Sequence, residues 1–143
     1  MKLSTQVVGD DAVRAVFARI GEAGPKALAA TAEDSEAYVE GEAARHNRTG
    51  KMVASIGKTR ESDGWLISHD LRVAPYTVFV HWGAKPHKIK PKTKRVLRWA
   101  GPGGFNFAKG VDHPGYKGDA WMTRAAALAP RMFAFHIDAQ LKG

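Results

Sequence analysis

Residues 74–99 read A-P-Y-T-V-F-V-H-W-G-A-K-P-H-K-I-K-P-K-T-K-R-V-L-R-W, and after a glycine-rich turn the segment closes on V-D-H-P-G-Y-K-G-D-A-W at 111–121. Tyr76 to Trp82 is dense in β-branched and aromatic residues between a proline and a glycine, a composition that predicts a strand. The character then changes. Lys85 to Arg98 holds seven Lys or Arg and no acid, so nearly all of the +8 formal charge falls in this one segment. Pro86, Pro91 and Pro102 fix φ and remove backbone donors, which predicts an ordered extended arm or long hairpin over 85–112 rather than a helix. Val96-Leu97-Arg98-Trp99 and Phe105-Asn106-Phe107 flank the turn Gly101-Pro102-Gly103-Gly104, and the two flanks are able to pair.

Upstream, M-V-A-S-I-G-K-T at 52–59 and Gly64 to Ser68 read as short strands joined by the turn Glu61-Ser62-Asp63-Gly64. With Tyr76–Trp82 as a third strand, residues 51–84 predict an antiparallel meander. Two helical patterns precede it within 9–48. In the first, Val13, Val16, Phe17 and Ile20 fall on one face behind Asp10 or Asp11, and Gly24-Pro25 ends it. In the second, Leu28, Ala32, Ser35, Val39, Ala43 and His46 form a seam of small residues, with Glu33, Asp34, Glu36, Glu40 and Glu42 on the other faces. Asn47-Arg48-Thr49-Gly50 breaks it. Downstream, a helix over 119–141 starts at Asp119 and presents Trp121, Met122, Ala125, Leu128, Ala129, Met132, Phe133, His136 and Ile137 as an apolar stripe, with Pro130 expected to kink or break it. The fold class is therefore α+β: an antiparallel sheet of three to five strands with a long hairpin or arm, packed on N-terminal helices and one long C-terminal helix, in a single domain, 1–143.

Composition narrows function. The 143 residues contain no cysteine, which removes disulfides, thiolate catalysis and cysteine metal sites. No apolar run is long enough to span a membrane, and M-K-L-S-T-Q lacks the apolar core of a signal peptide, so a soluble cytoplasmic product is expected. A sequence pI near 9.9 favours polyanionic partners, nucleic acid or an acidic protein face, and the clustering of charge points to a contact surface.

A catalytic reading finds little support. His81, His87 and His113 surround the basic segment, but their spacing matches no zinc pattern and no carboxylate lies between Leu71 and Val111. General acid–base cleavage of RNA would require His81 and His113 to exchange a proton, with Lys90 or Arg95 stabilising the phosphorane. Only the residue types favour that, and no nucleophile elbow or phosphate-binding glycine loop is present. No catalytic residue, metal or cofactor is expected.

Five segments occur in a suggestive order: T-G-K-M-V-A-S-I at 49–56, Y-T-V-F-V-H-W-G at 76–83, I-K-P-K-T-K-R-V-L at 89–97, H-P-G at 113–115, and A-W-M-T-R-A-A at 120–126. Together they resemble the tail-component family of lambdoid-type long-tailed bacteriophages, the "gene product ten" group of neck proteins. That family shows T-G-x-L then S-I, an aromatic strand ending in a G-T or G-A step, I-x-P-K, and H-P-G ahead of a helix that opens on an aromatic. The resemblance spans Thr49 to Ala127. Met52 stands in place of the usual leucine, and Ala84 in place of the common threonine. Matching positions are Thr49, Gly50, Ser55, Tyr76, Gly83, His113, Pro114 and Gly115.

The resemblance implies a non-enzymatic tail-completion or head–tail joining subunit in the neck of the virion, assembled in the host cytoplasm. It also implies a ring, sixfold to match the tail tube, in contact with neighbouring neck and tail tube or terminator proteins. Within that picture Lys85, Lys88, Ile89, Lys90, Lys92, Lys94, Arg95, Leu97, Arg98 and Trp99 are the candidate contact residues. Glu33, Glu36 and Glu40 are a candidate acceptor face on the next copy. Trp82 is a further candidate anchor. Protein contact is preferred to DNA because Pro, Ile89, Val96 and Leu97 interleave the charges. Non-specific contact with packaged DNA, an independent nucleic-acid-binding module, and a histidine-dependent nuclease are the alternatives.

Overall fold

A computed structural model of the chain describes residues 11–142. Its spine is a pair of antiparallel helices, α1 (Asp11–Ala44) and, last in the chain, α4 (Trp121–Lys142). The pairing is marked from end to end: His46 meets Asp119 at 2.8 Å, Ser35 Oγ lies 3.6 Å from the Met132 sulfur, His136 meets Asp34 at 2.7 Å, and Arg19 donates to the Leu141 carbonyl. Between them come α2 (Lys51–Ala54), β1 (Ile56–Arg60), β2 (Trp65–His69), α3 (Thr77–Trp82), β3 (Gly83–Ala84), β4 (His87–Ile89), β5 (Leu97–Gly101), β6 (Gly104–Ala108), β7 (Val111–His113) and β8 (Tyr116–Lys117). The class is α+β, with every strand pair antiparallel.

The seam expected on the second helical pattern is the face that α1 buries: Ala32, Ser35, Val39 and Ala43 are all buried. The break expected at Gly24-Pro25 does not occur, and α1 runs through Pro25. Ala23 and Ala27, on either side of the proline, are both buried, and this packing outweighs the missing backbone donor. The face led by Val16, Phe17 and Ile20 is exposed rather than packed, while Val13 and the Asp10 or Asp11 cap lie outside the described side chains. Helix α4 starts within two residues of the expected Asp119 and continues through Pro130.

The three-stranded meander over 51–84 is corrected to one hairpin flanked by helical pieces. Met52 lies in a single helical turn, held by Asn47 Oδ1 accepting from the Met52 N–H at 3.3 Å, and the strand begins only at Ile56. Residues 77–82 are a helix despite their β-branched composition. Ala74, Thr77 and His81 are buried at steps of three and four, so the residues facing inward are small or polar while Val78, Phe79 and Trp82 face out. Strand propensity describes fit to a half-buried pleated surface, and here no such surface is offered. The strands form four two-stranded ladders, β1–β2, β3–β8, β4–β7 and β5–β6, instead of one sheet.

Trp121, Met52 and Val39 are the largest fully buried side chains, joined by Ala43 and Ala125. Among the described residues six of the nine buried apolar side chains are alanine, so few large groups hold the body together. Replacing Trp121 by Ala is expected to remove about 3–5 kcal/mol of stability, a large part of a typical total of roughly 5–15 kcal/mol. Phe107→Ala, on an exposed side chain, is expected to change it by less than about 0.5 kcal/mol. Urea unfolding followed by circular dichroism checks both.

Candidate interaction surface

Residues 83–117 form one two-stranded arm. At its root β3 pairs with β8, then β4 with β7 through His87↔His113 and Ile89↔Val111, and at its end β5 pairs with β6 from Leu97↔Ala108 to Gly101↔Gly104. The hairpin across Gly101–Gly104 is the one expected. The two sides are unequal. Residues 90–96 separate β4 from β5 on one side, whereas only Lys109 and Gly110 separate β6 from β7 on the other. The surplus loops out of the ribbon and carries Lys90, Lys92, Lys94 and Arg95.

Close backbone packing fixes the root. A Cβ on Gly83 would lie 2.5 Å from the Tyr116 carbonyl oxygen, and one on Gly115 would lie 2.6 Å from that of Ala84; both glycines have φ between 86° and 88°. His113 Nδ1 accepts from the Gly115 N–H at 3.0 Å, which gives H-P-G a structural job. His87 stacks on His113 with ring centres 5.0 Å apart and directs Nδ1 to the Lys85 carbonyl at 2.8 Å.

Charge on the arm is nearly uncompensated. Lys88 meets Asp112 at 3.6 Å, but among the described residues Lys85, Lys90, Lys92, Lys94 and Arg95 have no acid within ion-pair distance, and all are exposed. Arg98 is different, since its guanidinium lies 3.6 Å from the centre of the Phe105 ring. The β5–β6 register puts Arg98, Ala100, Phe105 and Phe107 on one face and the half-buried Leu97 with Trp99 and Asn106 on the other. Phe105 and Phe107 are 57% and 62% exposed, and Ile89 and Trp99 are also exposed. Beyond the cationic loop, residues 99–108 carry no charge.

Between α3 and the arm root lies a cleft of about 830 Å³, walled chiefly by Tyr76, Phe79, Val80, Pro86, His87 and Tyr116. The outer face of α3 is uncovered, with Phe79 62% and Trp82 70% exposed. The acidic acceptor face is partly engaged within the chain. Lys58 reaches Glu33 at 2.6 Å and Glu36 at 2.7 Å, contacts that raise its pKa, while Glu40 is exposed. Of the remaining motif positions, Thr49 is exposed, Pro114 is exposed beside the root, Gly50 starts α2 with φ 81°, and Ser55 is buried.

His81 does not join His87 and His113. His113 stays at the arm root, whereas His81 is buried with its ring centre 4.8 Å from that of Trp121, and no proton route between them is built. Trp121 is instead ringed by His46, His69 and His81. Its indole N–H donates to His69 Nε2 at 3.1 Å, and His69 Nδ1 lies 2.8 Å from Ser55 Oγ. An indole nitrogen only donates, so His69 must be neutral with its proton on Nδ1. Ser55 gives its own proton to the Met52 carbonyl at 2.6 Å, so this serine–histidine pair is wired as a brace and not as a nucleophile with its base. Nearby, Arg124 binds Asp119 and Glu42, and Arg124 with His46 holds the Asp119 carboxyl down at about 2. Among the described residues no group of three His, Asp or Glu is placed to hold a metal ion.

Comparison with protein-family models, with curated proteins and with solved structures finds no match in any of the three. The cleft and the His69–Trp121 brace were not anticipated from the sequence. The signal for α3's inner face was the Ala74, Thr77, His81 spacing, hidden beneath a louder aromatic pattern.

Burial lowers the pKa of both His69 and His81. With the folded values below the unfolded 6.5, the unfolded chain binds protons first as pH falls, so stability is intact above about 6.5 and declines below it. Thermal melts from pH 8 to 5 should fall for the parent chain and fall less steeply in His69→Gln. Replacing Lys90, Lys92 and Lys94 together by Ala should leave melting at pH 8 within about 0.5 kcal/mol of the parent, because these side chains have no ion pair within the described chain.

Proposed function

We propose that this chain is a structural subunit of the head–tail junction of a long-tailed bacteriophage or phage-like particle, a tail-completion or joining protein that works as part of a ring. The observation that carries the reading is the balance of surface and core. A compact monomer of 15.5 kDa exposes about 7,200 Å² by size scaling. This chain exposes 11097 Å². The excess, close to 3,900 Å², is several times the roughly 800 Å² that each partner buries in a standard interface. Among the described residues eighteen large apolar side chains are exposed, against three fully buried. Such a chain is completed by neighbours.

The order of motifs from Thr49 to Ala127 supports the neck in particular. H-P-G and Gly83 set the arm root, Gly50 starts α2, and the alanines after Trp121 line α4, so the matching positions are those that hold an arm on a helical body. No helix among the described residues is long and apolar enough to cross a membrane. Contact with passing DNA is a second use of the same arm, favoured by the lysines of loop 90–96, which have no ion-pair partner among the described residues; phosphate neutralisation there needs no base reading.

Sedimentation over a wide concentration range tests the subunit reading. Oligomers that grow with concentration, or that appear on adding neck or tail proteins, are expected, with His81→Gln and His113→Ala leaving assembly in place. A strictly monomeric protein that cleaves RNA or DNA with turnover, and loses this in His113→Ala, would contradict it.

A further inference from the structure

We propose that the cleft at the arm root receives the hairpin tip of a second copy of this chain, so that each subunit seats Phe105 and Phe107 between α3 and the arm root of the next. This rests on the ring reading and adds the contact that closes the ring.

The tip is shaped for insertion. Residues 99–108 are uncharged, although they lie beside the most cationic segment of the chain, and the turn Gly101-Pro102-Gly103-Gly104 has no bulky side chain to obstruct entry. Behind it, two half-exposed or more phenylalanine rings share one face of the ribbon. A nucleic-acid-binding tip would carry its cations at the end; here residues 99–108 carry none, Arg98 behind them lies over the Phe105 ring, and most of the arm's cations sit between tip and root, four of them in loop 90–96.

The cleft offers the matching surface. Its walls are Tyr76, Phe79, Val80, Pro86 and Tyr116, with Lys85 and His87 at one side, and its volume of about 830 Å³ exceeds that of the other clefts described. Its own tip cannot fill it. Eight residues lie between Phe107 and Tyr116, about 30 Å at most at 3.3 Å per residue step, and along the ribbon the β4–β7 ladder is interposed between the tip ladder β5–β6 and the root ladder β3–β8 that borders the cleft.

A tip and a cleft on different parts of one chain make a head-to-tail contact, the kind that closes into rings when the rotation permits. Aromatic side chains bury about 150–250 Å² each when fully covered, so Phe105, Phe107 and Trp99, exposed to 57%, 62% and 43%, together supply roughly 250–400 Å² toward the roughly 800 Å² per partner that a stable interface needs. The surplus surface of the isolated chain accommodates two such contacts, one given and one received.

The absence of cysteine makes the test clean. F79C, in the cleft, and F107C, at the tip, are prepared separately, mixed, and treated with a short bis-maleimide, with light scattering on the same samples. A cross-linked dimer from the mixture and from neither variant alone is expected. In a second variant, F105S with F107S, self-association should weaken at least tenfold with an unchanged melting temperature, since neither ring packs on the core. Oligomers without the mixed cross-link overturn this contact and leave the ring intact. Cross-linking of F107C alone makes the contact tip-to-tip and overturns it. Protection of the F79C thiol by oligo-dT, and not by added parent chain, gives the cleft to nucleic acid and overturns it as well. A monomer at millimolar concentration, with or without cross-linker, removes both the contact and the ring.

Discussion

One buried indole holds the parts of this molecule together. Trp121 opens α4, stacks on His46 just beyond α1, donates to His69 at the end of β2, takes the edge of His81 from α3, and shares the core with Met52 of α2. Isolated two-stranded hairpins are marginal in water, so the β1–β2 ladder owes its place to this anchoring and to the ion pairs of Lys58 on β1 with Glu33 and Glu36 of α1. The residues beside Trp121 and His81 then set the arm. Asp119 donates its N–H to the Val80 carbonyl at 3.0 Å, and Gly118 packs directly against Gly83. The direction in which the arm leaves the body is thus a consequence of how one tryptophan is buried.

What lies beyond that anchor is sparsely packed. Helices α1 and α4 meet largely through alanines, which permits close approach but buries little apolar area per residue. Large apolar groups instead point outward: Phe17 on α1, Phe79 and Trp82 on α3, Phe105 and Phe107 on the arm, Phe135 on α4. Their distribution on several faces suits a subunit held between neighbours better than one with a single docking site.

Much of this was legible in the sequence, and the exceptions share a cause. The seam from Leu28 to His46, the stripe of α4 and the hairpin across Gly101–Gly104 all follow from periodicity and turn chemistry, which are local. Helix α3 was hidden because its buried face is Ala74, Thr77 and His81, while the residues with high strand propensity face outward. The continuity of α1 through Pro25 depends on α4, about a hundred residues away in sequence. The brace from Ser55 through His69 to Trp121 has no sequence signature, since three ordinary residues become a network only once the chain folds. In the candidate site, the cationic content of the arm was readable, but its confinement to a loop with an uncharged apolar tip beyond it needed the ribbon register.

The proposed assembly role rests on an arm with a glycine root, a loop whose cations have no ion pair among the described residues, and exposed apolar side chains on both arm and helices. The most direct measurement is electron microscopy of the protein assembled with its particle or purified as an oligomer, resolved well enough to trace residues 85–112. The account predicts a closed ring of copies, each arm extended onto the next subunit. A solitary chain, its arm folded onto its own body around a bound substrate or metal, would contradict it.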